Sequence, residues 1–181
     1  VLDIPFLPIH FFKKHSIKTG KWNEEKVFKS SGTTSSTRSS HFIKEVDFYL
    51  ENTTEIFEIF FGSISEYQII ALLPSYQEQG DSSLICMVDH FMTLSIFQGR
   101  FALEKNIEGL LRSENKKILF GVSYALWDLA EKGITPQNAV IIETGGMKGR
   151  KQELIRSELH SILRKGLSQD KIWSEYGMTE L

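Results

Sequence analysis

The chain has 181 residues, of which 41% are hydrophobic and 24% charged, and its formal net charge is −2. That size and composition fit one soluble globular domain, or a large part of one, and exclude the basic footprint of a nucleic-acid binder. No apolar run reaches membrane-spanning length, and the single cysteine, Cys86, excludes an internal disulfide and a cysteine metal cluster. Leu84, Ile85, Met87 and Val88 flank that cysteine, which marks it as a buried thiol and fits a reducing, cytoplasmic setting.

In chain order, residues 1–15 are apolar and punctuated by Pro5 and Pro8, which predicts an extended segment or short helix laid against a core. Lys26–Phe28 reads as the end of a strand. From His41 to Phe61 apolar residues recur at helical spacing, with Asn52-Thr53-Thr54 as a point where the helix could break in two. Gln68–Leu73 is a near-continuous apolar run and predicts a buried parallel strand. Ser82 or Ser83 caps a helix carrying Leu84, Ile85, Val88 and Met92. Residues 97–103 carry no clear pattern, and Ile107–Arg112 reads as helical. A strand over Lys117–Val122 is followed by a helix over Ser123–Lys132 that Gly133 ends. Ala139–Ile142 is a third strand. Arg150–Lys165 is an amphipathic helix with Gly166 as its stop, and Lys171–Ser174 is a last short strand.

Repeated strand, polar turn and helix predict an α/β fold with a mostly parallel sheet flanked by helices, in a single domain over residues 1–181. Ligands of such sheets sit beyond the C-terminal strand ends. Four polar or glycine-bearing stretches fall there: Ser30–Arg38, Pro74–Gly80, Glu143–Gly149 and Tyr176–Glu180.

The first of these is the most unusual. Ser30, Ser31, Thr33, Thr34, Ser35, Ser36 and Thr37 put hydroxyls around Gly32, and Arg38 closes the run. Backbone amides and hydroxyls beside a cation suit a phosphate. The same composition suits a flexible linker, and both readings stand on the residues alone. No Gly-Lys-Ser/Thr follows, so this is not a P-loop. His10, His15, His41 and His160 lack metal-ligand spacing. Lys148, Arg150 and Lys151 read as a solvated helix start.

Taken in order, the four stretches resemble the signatures of adenylate-forming enzymes, the superfamily of acyl-CoA synthetases. SSGTT at Ser30–Thr34 matches the hydroxyl loop, and Arg38 stands where that superfamily has a lysine. Ser35, Thr37 and Ser39 replace its usual Gly, Pro and Gly. Pro74, Ser75, Tyr76, Gln77 and Gly80 keep the frame of the second signature, with Gln77 in place of histidine. Gly145-Gly146 matches the glycine pair. Tyr176, Gly177, Met178, Thr179 and Glu180 match Tyr-Gly-x-Thr-Glu in full. The segments ETGGMKGR, LLPSY and SEYGMTEL are most similar to the acyl-protein synthetase (LuxE) family.

The resemblance implies part of the large N-terminal domain of such an enzyme. It implies ATP-dependent activation of a carboxylic acid, a fatty acid above all, to an acyl-adenylate, with acyl transfer to a thiol on a protein or on CoA. Ser30, Ser31, Gly32, Thr33 and Thr34 would then cradle phosphates, with Arg38 as a cation. Gly145, Gly146, Tyr176 and Gly177 would face the nucleotide. Thr179 would meet the α-phosphate, and Glu180 would hold magnesium. Tyr76, Gln77 and His90 would border the acyl group. The resemblance also implies a ribose-binding aspartate, a hinge and a catalytic lysine that these residues do not include. The expectation is therefore a fragment that is catalytically incomplete by itself. The missing Gly, Pro and Lys of the first signature support an alternative, a non-catalytic nucleotide- or acyl-binding domain on the same scaffold.

Overall fold

A computed structural model describes residues 7–8, 10–30, 38–73, 80–102, 107–147 and 149–176. The chain opens with α1 (Phe11–Lys14), β1 (Lys26–Lys29) and β2 (Ser40–Ile43), then α2 (Val46–Phe61) and β3 (Gln68–Leu72). There follow α3 (Ser83–Leu94), β4 (Arg100–Phe101), α4 (Glu108–Leu111), β5 (Lys117–Gly121), α5 (Ser123–Glu131), β6 (Ala139–Glu143), α6 (Arg156–Leu167) and β7 (Trp173–Ser174). β1 and β2 form an antiparallel hairpin. The other five strands form one sheet in the order β4-β3-β5-β6-β7, with every neighbouring pair parallel.

The central strands are apolar on both faces because both faces are covered. Every residue of β3 and β5 is buried. Successive strand residues point to opposite faces. The Phe120 ring lies 6.4 Å from Phe91 of α3, whereas its neighbour Gly121 lies against Leu126 of α5. α3 therefore covers one face and α5 the other. α2 joins α3 through Phe57 and Phe91, whose rings are 5.2 Å apart. α6 joins α5 through Gly166 and Ala130. Ile69, Ile70, Ile118, Leu119 and Leu126 are fully buried, and each such side chain contributes about 1.5–3 kcal/mol.

The hairpin has its own small core of Phe28, Ile43 and Cys86, against which Val46, Tyr49 and Leu50 pack. Cys86 is thus a buried thiol, as its flanks imply. At the N-terminal edge of the sheet Lys117 is fully buried, and its ammonium donates to the carbonyls of Ser113, Asn115 and Gln137. Burial holds its pKa below the usual lysine value, with Glu114 opposing. No described helix is long and apolar enough to cross a membrane.

Four expectations change. The segment His41–Phe61 is not one helix: its first residues are the strand β2, drawn into pairing with β1 by Phe28 opposite His41 and Val27 opposite Phe42. The helix that follows does not break at 52–54; the Thr53 and Thr54 hydroxyls turn back to the Leu50 carbonyl, at 2.8 and 3.0 Å, instead of capping a new helix. Gly166 is not a stop. It lies within α6 at the close approach to α5, where an added Cβ would come within 2.5 Å of the Ala130 Cβ. The helix ends instead at Ser168, in the left-handed conformation. It also begins later than expected, at Arg156, because Arg150 and Lys151 are engaged over α5. Arg150 lies 4.7 Å from the Tyr124 ring, and Lys151 pairs with Asp128 and Glu131 above Trp127. β4 occupies part of the stretch that carried no clear pattern.

Candidate functional site

Because the five strands are parallel, their C-terminal ends share one edge. From β3 the chain crosses through α3 to β4 on one side. It then returns past β3 to β5, and continues to β6 and β7 on the other side. That reversal opens a crevice at the strand ends, the usual ligand position in open α/β sheets.

A buried carboxylate organises this edge. Glu143, the last residue of β6, is 2% exposed. Its Oε1 accepts from the Ser123 hydroxyl, at the start of α5, and from the Gly145 backbone N–H at 2.7 Å. Its Oε2 lies 3.5 Å from the Ser174 hydroxyl and 3.6 Å from His160 Nε2. Ser174 in turn lies 3.3 Å from His160 Nε2. One side chain thereby joins β6, β7, α5, α6 and the glycine turn. Such a charge is tolerated in a core only when its lone pairs are occupied. Gly145 and Gly146 follow with φ of 79° and 94°, a left-handed turn that side chains disfavour. Glycine is needed there, so the pair carries the strand end sharply over the Glu143 carboxylate.

Against Phe120 of β5, Ile142 of β6 and the end of β7 lies a pocket of about 560 Å³, within the range of small-molecule sites. Phe57, Phe60 and Phe61 of α2, Leu84, Met87 and Phe91 of α3, and Phe120, Ile142 and Trp173 of the sheet give it apolar walls. Its polar groups are those of His41, Tyr49, Thr53, Ser83, Ser174, Glu175 and Tyr176. Tyr49 donates to the Ser83 carbonyl at 3.1 Å. Burial, with Cys86 and Glu175 adding, pushes its phenol well above the usual range, so it is a neutral donor. Burial first, then the Glu143 charge, raises the pKa of the Glu175 carboxyl.

The base of the hydroxyl loop closes on itself. The Ser30 amide donates to the Ser39 carbonyl at 3.1 Å, and the Ser30 hydroxyl accepts from the Ser39 amide at 2.9 Å. Arg38 donates to both Asp81 oxygens, at 2.7 and 3.2 Å, and to the carbonyls of Lys29 and Ser30. The Lys29 amide donates to the Asp81 carbonyl at 2.8 Å. The hairpin end is therefore fastened to the turn that precedes α3, which Ser82 caps through the Ile85 amide.

Ser30, Arg38, Gly145, Gly146, Tyr176 and His90 are described; Ser31, Gly32, Thr33, Thr34, Tyr76, Gln77, Gly177, Thr179 and Glu180 lie outside the described residues. Tyr176, 70% exposed, lines the pocket. His41, three residues beyond Arg38, lines it too. His90 is on α3 but not among the lining residues, where Met87 and Phe91 of the same helix stand. No group of the described residues could hold a metal ion, and the magnesium expectation rests on Glu180. Sequence reasoning missed Asp81, His160 and Ser174, and took Glu143 only as the start of a loop. A glutamate closing an otherwise apolar strand was the available signal. No family model, curated protein or solved structure matches this chain.

Proposed function

We propose that this chain is the nucleotide- and acid-binding part of an ATP-dependent ligase that activates a fatty acid to an acyl-adenylate, for transfer to a thiol on a protein or on CoA. One observation carries the reading. The apolar pocket at the C-terminal strand edge is lined both by His41, next to the hydroxyl loop, and by Tyr176, which opens the Tyr-Gly-x-Thr-Glu run. The acid's tail would lie against Phe57, Met87 and Phe91, and its carboxyl would face the polar groups at Ser174–Tyr176.

The chemistry asks the protein mainly for position and charge control. A carboxylate oxygen attacks the α-phosphorus of ATP, and the bond to the pyrophosphate oxygen breaks. Apolar walls around the acid exclude the water that would hydrolyse the adenylate. The Gly145-Gly146 turn lets backbone approach a flat ring closely, and Glu143 fixes that turn. Magnesium, held by Glu180, would neutralise charge on the phosphates.

A second reading is a binding domain that keeps the pocket without the reaction. Arg38, already committed to Asp81, favours it. Titration of the intact protein with ATP–magnesium and straight-chain acids separates the two. Acid-dependent pyrophosphate release supports the ligase, and silence with every acid supports the binder.

A further inference from the structure

We propose that Glu175 decides what the pocket accepts: its carboxyl takes the head of an apolar carboxylic acid as a carboxylic acid–carboxylate pair, with the shared proton held on Glu175. This rests on the proposed activation of an acid and adds how that acid is selected.

Among the described residues no lysine or arginine lines the pocket, so a carboxylate entering meets no cation. Glu175 lies on the wall at the end of β7, its backbone N–H donating to the Glu143 carbonyl at 2.9 Å. No hydrogen bond or ion pair engages its carboxyl among the described residues. The titratable groups around it can be named element by element. Glu143 of β6 is committed to Ser123, Gly145 and Ser174, with His160 of α6 beyond. Tyr49 of α2 is committed to the Ser83 carbonyl, and its other titratable neighbour is Cys86 of α3. His41 of β2 lines the same pocket. Glu143, Tyr49 and Cys86 cannot carry positive charge, and no lysine or arginine stands on this wall among the described residues.

Two carboxyls in contact cannot both stay ionised, and the proton they share makes a strong hydrogen bond. Burial and the nearby Glu143 charge favour the neutral Glu175 carboxyl, which is the donor that an incoming carboxylate needs. The proton balance is simple. Glu175 O–H donates to one ligand oxygen and keeps its proton, which leaves the other oxygen as the nucleophile. When Glu175 is ionised beforehand, binding takes one proton from solvent. An organic cation would require the ionised form instead, which burial disfavours.

The test is calorimetric binding without ATP, across the neutral to alkaline range and in buffers of different ionisation enthalpy. The probes are dodecanoic acid, dodecan-1-ol and dodecylamine. The expected affinity for the acid falls about tenfold per pH unit above the Glu175 titration, with one proton taken up per acid bound there and none below it. The alcohol binds independently of pH. Glu175→Gln, which keeps a donor of the same shape, binds the acid with no proton uptake and no pH dependence. Acid binding to the unaltered protein that takes up no proton at any pH up to the alkaline end of the range overturns the proposal. So does an absence of acid binding, an amine that outcompetes the acid, or uptake that persists in Glu175→Gln. Pyrophosphate release alongside pH-independent acid binding would sink the proposal and leave the ligase reading standing. Proton-linked acid binding without pyrophosphate release would do the reverse.

Discussion

Arg38 holds Asp81 through both ends of its guanidinium, Nη1 to Oδ2 at 2.7 Å and Nη2 to Oδ1 at 3.2 Å. The pair fastens the hydroxyl loop to the approach of α3, and so joins the candidate phosphate loop to the helix that walls the pocket. Both side chains are more than a third exposed, and such pairs contribute about 0–1 kcal/mol. Asp81→Asn is therefore expected to change unfolding in urea by less than about 1 kcal/mol. If Arg38 serves a phosphate, the same variant releases it and lowers KM for ATP in pyrophosphate-release assays. An unchanged KM would leave Arg38 as a fastening only.

Lys117 gives a prediction at the opposite edge of the sheet. Its ammonium satisfies three carbonyls inside the core. Lys117→Met keeps the stem but orphans those carbonyls, at about 1–3 kcal/mol for each group left unsatisfied and not relaxed to water. The folded state holds this lysine below its ordinary pKa, so between that lowered value and 10.5 the unfolded chain binds more protons. This group therefore makes stability rise with pH over that window. Denaturation midpoints measured across alkaline pH should show the rise in the unaltered protein and lose it in Lys117→Met.

Glu175 has the opposite sign. Its folded pKa is raised above 4.5, so its contribution is fully present below that value and is lost as pH rises through the folded one. Glu175→Gln should flatten this part of the stability profile above 4.5. An unchanged profile would mean that the carboxyl is better solvated than its place on the pocket wall implies.

Gly166 opposes two effects of known size. Alanine gains about 1 kcal/mol over glycine inside a helix. Here the added Cβ would meet the Ala130 Cβ at 2.5 Å and its backbone oxygen at 3.0 Å, and such overpacking costs about 1–3 kcal/mol. The backbone contact cannot rotate away, so the clash wins. Gly166→Ala should lower Tm, and a raised Tm would show that α5 and α6 can separate freely.

These cases show what the residues alone could tell. β3, β5 and β6 were legible as apolar runs, because a strand buried on both faces leaves little room for polar residues. β2 was not, since Ser40–Ile43 becomes a strand only by pairing with Lys26–Lys29 across the loop. Gly166 looked like a helix stop because contact with Ala130, from a separate helix, cannot be read from local sequence. The glycine pair was legible, but the Glu143 carboxylate beneath it was not, because its partners come from four separate segments. The pocket could be foreseen only as a surplus of phenylalanine. Which of the 13 phenylalanines line it depends on how α2 crosses α3.

The most direct measurement is covalent labelling of the intact protein with a fatty acid bearing a photoreactive group at its tail, followed by mapping of the modified peptide. If the pocket takes the acyl chain, labelling falls on Met87 or Phe91 of α3 or on Phe57 or Phe60 of α2. Unlabelled acid competes it away, and Met87→Trp abolishes it. Labelling elsewhere, or labelling that neither competitor acid nor Met87→Trp reduces, would contradict the account.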